Sequence, residues 1–191
     1  MLYIITFYGL SLGSLISALS YRIPRSEDVF FKPSRCTNCN NKLKARDLIP
    51  LFSWLMNHGK CRYCKKKISA RYPLIEITTC FMTLLCFFLT NDYVLTFILS
   101  FLIVILVTIS VIDFEHYIIP DRLQIIFLIY AIFWVTYFSY DIIYSIFSAF
   151  LGFFISYALL IGFKYIRNKD GLGFGDVKFI AIAAIFLGAD N

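Results

Sequence analysis

The sequence predicts an all-α protein: a polytopic membrane helix bundle with one small polar loop domain. Three observations predict it. The 191-residue chain is 60% hydrophobic, against roughly half for a soluble domain, and its mean hydropathy is +0.76. Its apolar residues gather into runs close to the ~20 residues a helix needs to cross a hydrocarbon core of about 30 Å. Its Lys and Arg, 18 against 12 Asp and Glu, are confined to one set of connections.

The runs come in order at 1–21, 74–90, 94–112, 123–138 and 142–163. A sixth apolar run goes from Val177 to Leu187. It is too short to cross a bilayer, so the bundle has about six spans with the last truncated, as in a fragment or a shortened family member. Three segments follow: a first transmembrane helix over 1–21, a cytoplasmic basic loop over 22–73, and a membrane domain over 74–191. The first run lacks a charged start, and Pro24 and Arg25 follow it where a signal peptide would place a small-residue cleavage site. It reads as a retained helix.

Charge sets the topology. Cytoplasmic loops collect Lys and Arg. Thirteen of the eighteen lie between Arg22 and Arg71. Arg122 follows the third span; Lys164, Arg167 and Lys169 follow the fifth; Lys178 opens the sixth. The connections around Asn91–Tyr93 and Ser139–Asp141 carry none. One side therefore holds every basic residue and is the cytoplasmic side, with the N-terminus outside. This asymmetry accounts for the net charge of +6 without invoking nucleic acid as a partner; the partner it implies is the lipid bilayer.

The basic loop holds two pairs, Cys36-Thr-Asn-Cys39 and Cys61-Arg-Tyr-Cys64, 21 residues apart. Each CxxC aims two sulfurs at one point, and zinc takes four thiolates tetrahedrally. Lys42, Lys44, Lys60, Arg62 and Lys65 favour the thiolate form. About fifty mostly polar residues build little core, so Zn2+ bound by Cys36, Cys39, Cys61 and Cys64 supplies folding energy. All four positions being filled by protein, the metal is structural. Two disulfides are the competing arrangement, disfavoured on a reducing cytoplasmic side. Cys80 and Cys86 lie in the second span and read as small buried hydrophobes. His58, beside Gly59, reads as a solvated loop residue.

Two acidic residues stand at the membrane edge, where carboxylates are costly and functional by default. Asp113 closes the third span, and Asp176 opens the sixth in Gly171-Leu-Gly173-Phe-Gly175-Asp176. The charge-derived topology puts both at the cytoplasmic boundary, although 63 residues separate them. Two carboxylates brought face to face cannot easily both ionise and titrate as a unit. One can take a proton from water while the other donates to a carbonyl, which is peptide hydrolysis without a covalent intermediate. Gly173 and Gly175 allow a bend and a close backbone approach. A helix cap and a simple interfacial Asp are the plain alternatives. Asp121, after Pro120, reads as an N-cap. Glu115 and His116 read as supporting or solvated. Glu76 is either a buried partner for a basic residue or part of an active-site cavity.

Together these residues resemble the type IV prepilin peptidases, bacterial GxGD intramembrane aspartyl proteases. The likeness runs through Gly13-Ser14-Leu15 to Tyr21-Arg22-Ile23-Pro24, Ile49-Pro50-Leu51-Phe52-Ser53-Trp54-Leu55, Gly59-Lys60-Cys61-Arg62, Ile68 to Glu76, Asp113 to Asp121, and Gly171 to Lys178. The resemblance implies a multifunctional enzyme of type IV pilus or type II secretion systems in the bacterial inner membrane. Its substrate is a prepilin or pseudopilin, cut after a Gly at the end of a basic leader. Asp113 and Asp176 match the catalytic aspartates, with Gly173 and Gly175 in the active-site loop. It also implies an N-methyltransferase activity using S-adenosylmethionine. Ser17 and Leu48 stand where the family commonly has Asn, and they bear on methylation more than on proteolysis. An inactive membrane assembly protein keeping the fold and a proton- or cation-conducting transporter are the competing functions; cleavage and ion flux separate them.

Overall fold

The computed structural model describes residues 2–29, 31–138, 140–167 and 173–188, apart from the side chains of Ile166 and Arg167. Lys169, Gly171 and Ser139, all used in the sequence reading, lie outside the described residues. Among the described residues, seven α-helices follow in order: α1 (Leu2–Arg22), α2 (Phe52–Met56), α3 (Arg71–Thr90), α4 (Tyr93–His116), α5 (Asp121–Tyr137), α6 (Ile142–Arg167) and α7 (Phe174–Leu187). Four stretches of these residues, Leu2–Arg25, Arg71–Thr90, Tyr93–His116 and Ile142–Tyr165, are long and apolar enough to cross a membrane. The 17-residue α5 is close to that length, and the 14-residue α7 is the short run read from the sequence. The apolar surface also fits a lipid solvent: Phe7, Phe81, Phe147 and Phe154 are all more than 60% exposed on their helices.

The chain divides into two compact units, 1–112 and 113–191, the division falling in the last turns of α4. In the first unit α1 packs on α3 through small residues, as membrane helices do in the absence of a hydrophobic drive between them. Gly9 and Gly13 stand four residues apart on the contact face. A Cβ at Gly9 would lie 2.9 Å from Cys80 Cα, and one at Gly13 would collide with Glu76 Cα. Thr79 and Thr83 face them, fully buried, and return their hydroxyls to Ile75 and Thr79 carbonyls. Tyr8 ties α1 to α4 by a 2.6 Å hydrogen bond with Ser100 and a stacked contact with Phe97. Cys80 is buried in this packing and Cys86 is half-buried on α3, as expected of small hydrophobes.

In the second unit α7 packs against α6 and α5. Gly152 lets α6 and α7 approach, since a Cβ there would lie 2.8 Å from Ala184 Cβ. Phe127 of α5 stacks on Phe179 and Phe186 of α7, with centroids 5.3 and 5.7 Å apart. Phe127 and Val177 are fully buried there. Offset aromatic pairs of this kind add about 0.5–1.5 kcal/mol each beyond their burial.

Candidate active site and metal centre

The four loop cysteines converge. Each pair forms the same knuckle. Cys36 receives the N–H of Asn40 and donates its own to Asn41, while an isolated bridge joins Arg35 to Lys42. Cys61 receives the N–H of Lys65 and donates to Lys66, with a bridge from Lys60 to Lys67. Asn40 and Lys65 both take positive φ, 56° and 60°, to close these turns. All four Sγ atoms fall within 4.8 Å of one another, and Cys36 to Cys64 is 4.0 Å. Four thiolates at about 2.3 Å from one zinc would stand roughly 3.8 Å apart, so the cluster needs only a slight contraction.

The electrostatics fit a thiolate site. Burial pushes the Cys36 thiol up, but the N–H groups of Cys39 and Asn38 and the thiols of Cys61 and Cys39 outweigh it and bring Cys36 down to about 7. Cys39 has a favourable N–H from Asn41, but burial and the three neighbouring thiols push it up to about 11. Without metal the cluster thus concentrates charge on one sulfur; a cation would let all four carry it. Asp47 braces the knuckles from outside: it takes the Lys44 N–H at 3.1 Å, the Tyr63 hydroxyl at 3.2 Å and the Arg62 guanidinium at 2.9 Å. Trp54 packs against Gly59, whose φ is +66°. His58 is an exposed loop residue.

Asp113 lies in the last turn of α4 and is exposed. Its carbonyl takes the N–H of Tyr117, which turns to φ 54° and ends the helix. Four residues on, α5 begins at Asp121, so Asp113 is tied by a short link to the N-terminal end of α5. Asp121 is the first residue of α5 rather than its N-cap, which is Pro120. Its carboxylate instead pairs with Lys178 of α7 at 2.7 Å. Glu115 and His116 are exposed beside it at the end of α4.

Asp176 occupies the first turn of α7 and is half-buried. Its Oδ2 accepts the Gly173 N–H at 2.9 Å, and its own N–H returns to the Gly173 carbonyl at 3.1 Å. This closed loop satisfies part of the helix N-terminus and fixes the carboxylate there. Gly173 sits at φ −78°, ψ 150°, which any residue can adopt; its need for glycine is steric, a Cβ falling 3.1 Å from Asp176 Oδ2. Gly175 is helical, and a Cβ there would meet Ile119 Cβ at 3.4 Å and Gln124 Nε2 at 3.6 Å.

Gln124 is the residue the sequence reading passed over. It is buried in α5 and donates through Nε2 to the Gly175 carbonyl at 3.1 Å. Its signal was an amide inside an apolar run one turn after Asp121. This bond joins the start of α7 to the start of α5, and the exposed Asp121–Lys178 pair lies beside it. Asp113 and Asp176 therefore lie at the same end of their unit, although no hydrogen bond joins the two carboxylates among the described residues. Glu76 is buried in α3, and its carboxylate accepts the Leu51 N–H at 2.7 Å.

Comparison with known proteins agrees with these motifs. Residues 7–90 match the bacterial peptidase A24 N-terminal domain, and residues 100–191 match the type IV leader peptidase family. A prepilin leader peptidase/N-methyltransferase of Vibrio cholerae is 32% identical over 98% of this chain and 79% of its own length. A protein of that name from Dichelobacter nodosus is 28% identical over 98% of this chain and 76% of its own. A type 4 prepilin-like proteins leader peptide-processing enzyme of Escherichia coli is 30% identical over 95% and 65%. No solved structure matches the chain.

Proposed function

The chain belongs to the type IV leader peptidase family, and on that premise we propose that it is a membrane aspartic endopeptidase that removes the leader of type IV prepilins or pseudopilins. The observation that supports this reading is the bond from buried Gln124 to the Gly175 carbonyl, which joins the first turn of α7, with Asp176, to the start of α5, a short link after Asp113. In the reaction one carboxylate takes the proton of a water that attacks the scissile carbonyl; the other gives a proton to the carbonyl oxygen. The leaving amine then takes a proton from the dyad as the C–N bond breaks. The Asp176 loop supports this role because the Gly173 N–H fixes one carboxylate oxygen without a side chain crowding it.

The placement of the basic residues supports a cytoplasmic location for this end, in the bacterial inner membrane. A substrate with a basic cytoplasmic leader and a membrane-embedded helix would present its junction there, with Gly on the leader side. Zinc fits the Cys36, Cys39, Cys61 and Cys64 cluster, where it would clamp the two knuckles together; this is a folding role, and the closed ligand set leaves no position for substrate.

N-methylation of the new terminus would use S-adenosylmethionine. A groove of about 590 Å³ in the first unit is lined by α1 and the loop, with Arg22 and Lys32 among its residues. Ser17, one departure from the family pattern, is buried in the helix and does not line the groove. Incubating the purified chain in lipid with a prepilin, with and without the methyl donor, tests both activities. Release of the leader, read by mass, is the expected result; an intact prepilin with folded enzyme present contradicts the reading. A methyl-sized mass increase that needs the donor would add the second activity.

A further inference from the structure

We infer that residues 48–56 form a re-entrant hook that dips into the cytoplasmic leaflet, so that the cysteine-bearing loop is seated on the bilayer and not suspended above it. The first argument is depth. Leu51 donates its N–H to Glu76, five residues inside α3 from Arg71, or about 7.5 Å along a helix. On the other side, Leu48, Ile49 and Pro50 line a groove with Ser11, Ser14 and Ala18 of α1. Ser14 is eight residues from Arg22, about 12 Å along that helix. Two membrane helices thus place the same short segment below their own basic ends.

The second argument is chemistry. Leu48, Ile49, Phe52, Leu55 and Met56 are all exposed, from 41% for Leu48 to 77% for Met56. Phe52, Leu55 and Met56 share one face of α2, at i, i+3 and i+4. An apolar patch of this kind in a polar loop marks an interaction surface, and Leu48 and Ile49 share a groove with exposed Phe7 and Leu15 of α1. Exposed Arg46 and Lys60 flank it in sequence, and Lys32 lies in the groove beside Leu48. Basic residues around an apolar insertion suit anionic headgroups. The nearby acidic residue, Asp47, is engaged by Arg62.

The third argument is backbone satisfaction, the condition for non-helical chain at membrane depth. Pro50 has no N–H. Leu51 gives its N–H to Glu76; Phe52 and Ser53 return theirs to Pro50 and Ile49; Leu55 returns to Leu51. Leu51 holds φ 61° to make this turn, an unfavourable conformation for a γ-branched residue, maintained by the Glu76 bond. Glu76 is therefore the anchor of the hook.

The unmodified chain in vesicles of phosphatidylcholine and phosphatidylglycerol, with a trace of phosphatidylcholine carrying a diazirine in its acyl chain, tests this directly. Irradiation and peptide mapping should place adducts on 48–56 as well as on the spanning helices. Adducts on the helices with none on 48–56 would overturn the inference, and a crosslink from this segment to a second copy in their place would assign the patch to self-association. A second measurement uses the two tryptophans: in Trp134→Phe, Trp54 is the sole emitter. Lipids brominated near the headgroup should quench it several-fold more than lipids brominated near the chain end. Quenching by aqueous iodide, with none by either lipid, would contradict the hook. Adding Glu76→Leu should shift quenching toward iodide, while Glu76→Gln, which keeps an acceptor, should not.

Discussion

Gln124 donates its side-chain amide to the carbonyl of Gly175 at 3.1 Å, joining a buried position of α5 to the first turn of α7. The bond sits one residue from Asp176 and one turn from Asp121. The Gly175 carbonyl keeps its helical partner within α7, so removing the donor costs about the net worth of one hydrogen bond, about 0.5–1.5 kcal/mol. Gln124→Leu should therefore lower leader cleavage by up to about tenfold by loosening the α7 start. Cleavage kinetics in lipid vesicles, with zinc content as a check on the distant loop, measure it; unchanged kcat would remove Gln124 from the site.

Gly173→Ala separates steric from conformational need. The backbone at Gly173 is ordinary, so folding should be little affected. The new methyl would stand 3.1 Å from Asp176 Oδ2, so the carboxylate must give by a few tenths of an ångström. Cleavage should fall with little change in melting temperature, measured on the same detergent-solubilised sample.

Lys178 and Asp121 make a short contact, but their side chains are 40% and 73% exposed. An exposed pair contributes about 0–1 kcal/mol. Lys178→Ala should leave cleavage within a few-fold of the native chain, with the aromatic stack of Phe127, Phe179 and Phe186 keeping α7 in place. A loss as large as that of Gln124→Leu would show that the ion pair positions the site.

The helices were legible in the sequence because lipid demands long apolar runs, and the cysteine cluster because CxxC spacing dictates where sulfurs can meet. Asp121 was misread as a cap since a Pro-Asp pair carries the same signal whether the carboxylate turns to its own helix or reaches Lys178. The packing devices were less visible. Gly9 and Gly13 matter only because α3 crosses at that level, and Glu76 matters because Leu51 folds back from 25 residues earlier. No local pattern encodes either contact. Gly13→Leu should accordingly separate α1 from α3 and abolish accumulation of folded protein, measured by fluorescence-detected size exclusion, while Gly162→Leu, with open space around its Cβ position, should not.

The metal cluster predicts a dependence on pH. Cys36 is brought down to about 7 from its ordinary 9. A thiol with a lowered value contributes stability above its ordinary range that is lost as pH falls through 7, and metal uptake also needs thiolates. Reconstitution with zinc should thus weaken as pH falls from 8 to about 6. Cys61→Ser should lose the metal and expose the 22–71 loop to limited proteolysis.

The most direct test of the central claim is leader cleavage by Asp113→Asn and Asp176→Asn beside the native chain in the same lipid. Each change keeps shape and removes a carboxyl that the reaction needs to take or give a proton. The account predicts that the native chain releases the leader, that each variant folds and keeps its zinc, and that neither cleaves. Cleavage at the native rate by either folded variant would contradict it.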